Sequence, residues 1–419
     1  PPSGYVLGDV ELGKRFVSDL LAGEPVRIEG HAPWLACAQL PERPDARLAI
    51  RVSSDARAPT ADALLIYPRN VLVKLTTAVT AQVIREVLLE ANLAWQSVAC
   101  VVAAETMMAD AQLRDVASEL GVPLRFIGSD EDLAPHSLTW REPEGAVALG
   151  VAPAPVVIEH LGRARGRLAV IGLGPGAAEL MVPAVKAELA RANDVLGYET
   201  YVRMAGPFRD DQVMHCTDNR EEMQRARHAF ELAAQGRSVV VVSSGDPGVF
   251  AMAAAVLEAL HASSDPRWHS VDLEILPGVS ASLATAAQAG APLGHDFCVM
   301  SLSDNLKPWN IIEKRLDLAA EADLALAFYN PISRSRPWQL GVALEIVARH
   351  RTAQTPVVLG RDIGRPGQTL RVTTLGALTP DQVDMRTMVI IGSSTTCTFP
   401  RVDGREWVYT PRWYGQKPE

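Results

Sequence analysis

The sequence predicts an α/β protein in which one strand after another runs into a small-residue turn and then a helix. Three stretches carry the prediction. Residues 168–171 are a short apolar run that breaks at Gly172, Leu173, Gly174, Pro175 and Gly176 ahead of a helical pattern over 178–192. The four valines 239–242 run into Ser243, Ser244, Gly245, Asp246, Pro247 and Gly248, with an apolar helix expected from Val249. Residues 273–276 run into Pro277, Gly278, Val279 and Ser280 ahead of an alanine-rich helix. A fourth apolar run, 325–328, ends at Tyr329, Asn330, Pro331, Ile332 and Ser333. Strands that end this way place their turns along one sheet edge, where open α/β folds bind ligands. Glycine lets a ligand approach the backbone, and the amides of the turn and helix start offer donors.

Residues 1–60 read as a small mixed segment. Val10, Leu12, Phe16, Leu20 and Leu21 recur near helical spacing, and 26–29 and 48–52 suit strands. Over 61–160 the pattern becomes a compact α/β domain. Residues 64–67, 71–73 and 98–102 are strands, Thr80 caps a helix through Ala91, a second helix over 109–120 stops at Gly121, and 122–126 returns to the sheet. The polar junction 161–166 is the expected main boundary. Beyond it the strand, turn, helix unit recurs.

At 419 residues with 48% hydrophobic and 21% charged, the chain has the composition of a globular protein with two or three domains. A net charge of -9 without a basic tract argues against nucleic acid as a partner. No apolar run reaches membrane-spanning length, and the start shows no signal-peptide pattern. Five scattered cysteines without a Cys-x-x-Cys pair predict reduced thiols, a cytoplasmic location and no metal site.

The first glycine turn is ambiguous by itself. Gly172, Gly174 and Ala177 satisfy a dinucleotide fingerprint, with Asp194 near the spacing of a ribose ligand. Two details oppose it. Asp194 precedes the next apolar run instead of ending it, and Pro175 removes an amide from the turn.

The ordered set Gly-x-Gly-Pro-Gly, Gly-Asp-Pro, Pro-Gly-Val-Ser-Ala and Tyr-Asn-Pro resembles the tetrapyrrole methylase superfamily over 167 to about 410. Residues 194–198 with Tyr201, 243–251, 301–304 with Pro308 and Trp309, 329–334, Asp384 with Met385, and 390–392 are similar to the precorrin-3B C(17)-methyltransferases within it. That resemblance implies two α/β subdomains, 166–289 and 290–412, with an S-adenosyl-L-methionine cleft between them. It implies methyl transfer to carbon 17 of precorrin-3B, with ring contraction to precorrin-4 in cobalamin biosynthesis.

By the same resemblance, Pro175, Ser244, Gly245, Asp246, Val249, Phe250, Ser280, Ala281, Tyr329, Asn330 and Gly392 are the expected cofactor residues. Asp246 also has the simpler role of closing its own turn. Ser303, Asp304 and Arg334 are the expected catalytic residues, with a helix cap as the rival role for Asp304. Lys307, Arg334, Arg336, Arg361 and Arg365 are candidates for a patch that meets the substrate carboxylates. His215 reads as structural. The family also implies a homodimer and hand-over to other pathway enzymes. A cobalt-factor III methyltransferase and a non-catalytic corrinoid-binding protein stay open as alternatives.

Residues 61–160 resemble the carboxy-terminal domain of the cobalamin-biosynthesis lactone hydrolases, most clearly at 64–70 and 120–126. Lys74, Leu75, Thr76 and Thr77 stand where that family has a glycine loop, and Met107, Met108 and Ala109 stand near its Lys and Glu. The departures imply a binding or scaffolding remnant.

Overall fold

The computed structural model describes residues 1–141, 145–218 and 221–414. The chain forms two compact units. One comprises 1–166 with 233–237 and 265–272; the other comprises 167–232, 238–264 and the chain from Leu273 onward.

In the first unit, Ala63–Pro68 lies between Tyr5–Leu7 and Leu48–Val52, with Val26–Glu29 beyond. The helix Val10–Leu21 is capped by Asp9, whose carboxylate accepts the Leu12 amide at 2.9 Å, and it buries Phe16 against Ile50, Leu64 and Ile66. The division expected at 60/61 therefore cuts a sheet. Residues 63–66 pair in parallel with 49–52, and an apolar run carries no mark of which neighbour it will pair with.

A second sheet has the order Leu124–Ile127, Val98–Ala104, Val71–Leu75, Val147–Val151, Thr139–Arg141. Helices Ala81–Glu90 and Ala111–Leu120 cover the face that carries Val71, Val73 and Val101. Thr80 caps the first helix, and Gly121 ends the second in a left-handed conformation at φ 63°.

The second unit opens with a five-stranded sheet of order Val213–Thr217, Asp194–Tyr198, Ser238–Ser243, Arg167–Gly172, Asp272–Leu276. The central strands are parallel and fully buried, so they read as unbroken apolar runs. Another sheet follows: Phe297–Ser301, Ala325–Tyr329, Thr387–Ile391, Pro356–Arg361, Thr369–Thr374. Its first pair is parallel and the others are antiparallel.

The helix Ala281–Ala289 packs Ala286 and Ala289 against Ala327, Val358 and Ile390 of this latter sheet. Thr285 lies so close to the strand that a Cβ on Gly360 would fall 2.4 Å from its methyl group. A division at 289/290 thus separates the helix from the sheet it covers. Small side chains allow that approach, and alanine content alone does not say which sheet receives the helix.

Candidate active site

Three of the bends leave the same end of one sheet. Gly172 stands opposite Ser243 in the parallel register, and Asp272–Leu276 flanks the first strand on its other side. Gly174 and Gly245 exchange hydrogen bonds at 3.1 and 2.8 Å, with φ of 72° and 69°. Such angles favour glycine. Gly278 packs behind them: a Cβ there would lie 2.1 Å from the Gly245 carbonyl oxygen, and one on Gly172 would lie 2.4 Å from the same atom. The bends touch through bare backbone, leaving no space for side chains between them.

Asp246 fastens two of these bends. Its Oδ1 accepts the Gly248 amide at 2.8 Å and its Oδ2 accepts the Gly278 amide at 3.1 Å. The simpler role is the one seen: the carboxylate closes its own turn, and it also ties that turn to the next. Ser280 is buried and caps Ala281–Ala289, and its Oγ lies 3.1 Å from that of Ser282.

The fourth bend joins them through Tyr329. Its hydroxyl accepts the Ser282 amide at 3.1 Å, and its ring meets Phe250 with centroids 5.4 Å apart. Phe250 is 51% exposed and has φ 54°; Asn330 has φ 49° and donates from Nδ2 to Ser301 Oγ at 3.1 Å. Positive φ in a phenylalanine is strained, and such strain concentrates at ligand sites. Lys307 holds its ammonium 5.8 Å from the Phe250 ring centroid. Burial, together with nearby Arg315, lowers the lysine pKa.

Arg365, in the turn after Pro356–Arg361, donates from Nε to the Pro175 carbonyl at 2.9 Å and from a terminal nitrogen to Ser244 Oγ at 3.2 Å. Of the expected carboxylate patch, Arg365 therefore straps the first two bends together, while Arg361 is engaged by Asp384 and Asp362.

The expected cofactor residues Pro175, Ser244, Gly245, Asp246, Phe250, Ser280, Tyr329 and Asn330 fall in this linked set, with Val249 and Ala281 adjoining it in sequence. Gly392 does not. It follows Thr387–Ile391, where Ile391 stands opposite Leu326, so it lies at the start of Ala325–Tyr329 and about 13 Å from the bend that ends that strand. Antiparallel pairing carries the end of one strand to the beginning of its neighbour, which a motif read along the chain cannot reveal.

Among the expected catalytic residues, Ser303 follows the strand Phe297–Ser301 and donates its amide to Ser301 Oγ at 3.3 Å. Asp304 caps no helix: Trp309–Glu321 begins after Pro308 without a side-chain cap. Its Oδ2 accepts instead from Nε2 of buried Gln339 at 3.2 Å. Arg334 is exposed, whereas Arg336, two residues on, is buried. Gln339, Ser282 and Ser301 escaped the sequence reading. Only side-chain geometry marks them, since a serine at a strand end and a glutamine at a helix start are commonplace.

Two further expectations change. The run 178–192 is a short turn, Ala178–Leu180, followed by the helix Pro183–Arg191, so the first glycine turn does not open directly into a helix start. Pro183 at the first helical position sets that boundary. The apolar helix after the second bend begins at Met252, beyond the positive φ of Phe250. Asp194 is buried at the start of Asp194–Tyr198 with His215 Nε2 2.9 Å from its Oδ1, which removes it as a ribose ligand and makes His215 its structural partner.

The family model described as Tetrapyrrole (Corrin/Porphyrin) Methylases matches residues 167–379, more than half of the chain. The chain belongs to the tetrapyrrole methylases. Among relatives of this methylase, a protein of Sinorhizobium sp named precorrin-3B C(17)-methyltransferase is 51% identical over 249 residues, 59% of this chain and 97% of that protein. Cobalamin biosynthesis protein CobIJ of Mycobacterium bovis is 48% identical over 253 residues, and the match spans 48% of its length. A crystal structure titled as the methyltransferase CobJ aligns with a TM-score of 0.55 at 51% identity, covering 59% of this chain and all of that one. The matched portion has the architecture of that methylase.

Proposed function

We propose that this methylase transfers a methyl group from S-adenosyl-L-methionine to carbon 17 of precorrin-3B, with contraction of the ring to precorrin-4. The observation that carries the reading is the 51% identity over 97% of the Sinorhizobium precorrin-3B C(17)-methyltransferase, together with four bends joined around Tyr329, Phe250 and Asp246.

The residues present fit the cofactor. Phe250 and Val249 offer an apolar wall for a purine, and backbone groups at Ser280 and Ala281 offer hydrogen bonds, with Gly245 packed behind them. Bound S-adenosylmethionine supplies a methyl group already activated on a sulfonium. The task left to the chain is in-line positioning, which the Asp246 strut and the Arg365 strap serve by fixing three bends against one another. Methylation at carbon 17 leaves the macrocycle electron-poor. Loss of the proton from the hydroxyl on carbon 20 then drives bond migration and extrusion of that carbon as an acetyl group. Asp304, oriented by Gln339, is the group we assign to accept that proton.

The cytoplasm suits five free cysteines, and no described helix is long and apolar enough to cross a membrane. We further propose a homodimer through the methylase unit and hand-over of the product to other enzymes of the pathway. The first unit acts as a binding or scaffolding remnant of a lactone hydrolase. A cobalt-factor III substrate is the second reading, because a relative in Salmonella typhimurium named as a probable cobalt-factor III C(17)-methyltransferase is 41% identical over 99% of its length. Incubation with methyl-labelled cofactor and either metal-free precorrin-3B or cobalt-factor III separates them. Label is expected in the metal-free macrocycle. Label only in the cobalt macrocycle selects the second reading, and label in neither defeats both.

A further inference from the structure

Three arginines of the methylase unit are almost fully buried: Arg225 at 2% exposure, Arg351 at 8% and Arg336 at 8%. Two of them are well compensated. Arg351 pairs with Asp323 at 3.1 Å and donates to the carbonyls of Ala320 and Leu324. Arg225 donates to Thr217 Oγ1 at 2.8 Å, to the Asp218 carbonyl at 2.7 Å and to Met252 Sδ at 3.1 Å. Arg336 donates one side-chain hydrogen bond among the described residues, 3.3 Å from a terminal nitrogen to the Asn330 carbonyl, and forms no ion pair with them. A buried guanidinium is costly unless an anion or several acceptors meet its N–H groups; Arg351 and Arg225 have such partners, and Arg336 has a single carbonyl.

The position of Arg336 says where the anion arrives. Its backbone closes the fourth bend by exchanging hydrogen bonds with Ser333 at 3.0 and 3.1 Å. The carbonyl it holds belongs to Asn330, which has φ 49° and whose amide is tied to Ser301. Arg336 thus stands behind the left-handed residue of the bend that Tyr329 connects to the other three. We propose that Arg336 is a carboxylate receptor, its free guanidinium nitrogens completed by an anionic group of a bound ligand. The proposal rests on the functional reading above, in which two ligands carry carboxylates: the amino-acid end of the cofactor and the side arms of the macrocycle.

The test measures binding and turnover on the full chain with Arg336→Met and Arg336→Lys. S-adenosylhomocysteine carries the amino-acid carboxylate; methylthioadenosine has the same adenosine and sulfur without it. If the cofactor supplies the anion, Arg336→Met weakens S-adenosylhomocysteine by about tenfold or more, leaves methylthioadenosine unchanged, and Arg336→Lys recovers part of the loss. If a macrocycle side arm supplies it, both nucleosides bind as before and KM for precorrin-3B rises by a similar factor. Unchanged binding and KM, or equal weakening of both nucleosides, overturns the proposal. Should Arg336→Met not fold, Arg336→Lys against the unmodified chain gives the same comparison. A chain that binds S-adenosylhomocysteine but methylates neither macrocycle would defeat the functional reading, and the nucleoside arm would still judge Arg336.

Discussion

Each unit has a parallel sheet edge of similar grammar, and the two edges are built differently. In the methylase unit, Arg167–Gly172 and Ser238–Ser243 run into Gly174 and Gly245, which have positive φ and touch backbone to backbone, fastened by Asp246 and Arg365. In the first unit, Val71–Leu75 and Val98–Ala104 end at Thr76 and Glu105, with no described residue of positive φ over 76–91 or 105–120. Lys74 there is paired with Asp130 at 2.7 Å and sits 5.7 Å from the Trp140 ring. One edge is built of backbone that meets backbone; the other carries an ion pair and a ring contact between side chains. Strand order alone does not make a binding edge.

Four substitutions sharpen or break this contrast. The largest effect is expected of Asp304→Asn, which should lower the rate of ring contraction about a thousandfold with cofactor affinity and methyl transfer intact; stopped-flow absorbance of the contracting macrocycle checks it, and a fall below tenfold would remove Asp304 as the proton acceptor. Gly278→Ala comes next. Its Cβ would meet the Gly245 carbonyl at 2.1 Å, so the bends must part, and S-adenosylhomocysteine affinity by calorimetry should fall about a hundredfold. Asp246→Ala frees the Gly248 and Gly278 amides and should cost about tenfold in the same measurement, with melting lowered only modestly. Lys74→Met in the other unit should be smallest. An exposed Asp130 partner makes that pair worth less than about 1 kcal/mol, and methyl transfer should not change; a drop in turnover would mean the first unit takes part in the chemistry.

The sequence made the strands and turns of the site legible for a physical reason. Buried parallel strands are unbroken apolar runs, and bends that must bring backbones together are written in glycine and proline. Residues 168–176 and 239–248 show both. What stayed hidden was pairing across the chain. The run 64–67 gave no sign that it belongs with 49–52, nor did 281–289 reveal the sheet it covers. Gly392 was misplaced for the same reason, because antiparallel register decides which end of the sheet it occupies. The partners of the site were equally silent: Gln339 behind Asp304, Ser282 on the Tyr329 hydroxyl and the Arg365 strap are meetings of residues far apart in sequence.

A crystal structure of the full chain with S-adenosylhomocysteine tests the central claim most directly. The account expects the adenosine against Phe250 and Val249, beside the Gly245 bend, with its polar atoms on the backbone of Ser280 or Ala281, and the thioether sulfur facing Pro175. A nucleoside seated away from all four bends, or at the edge carrying Lys74 and Asp130, would contradict it.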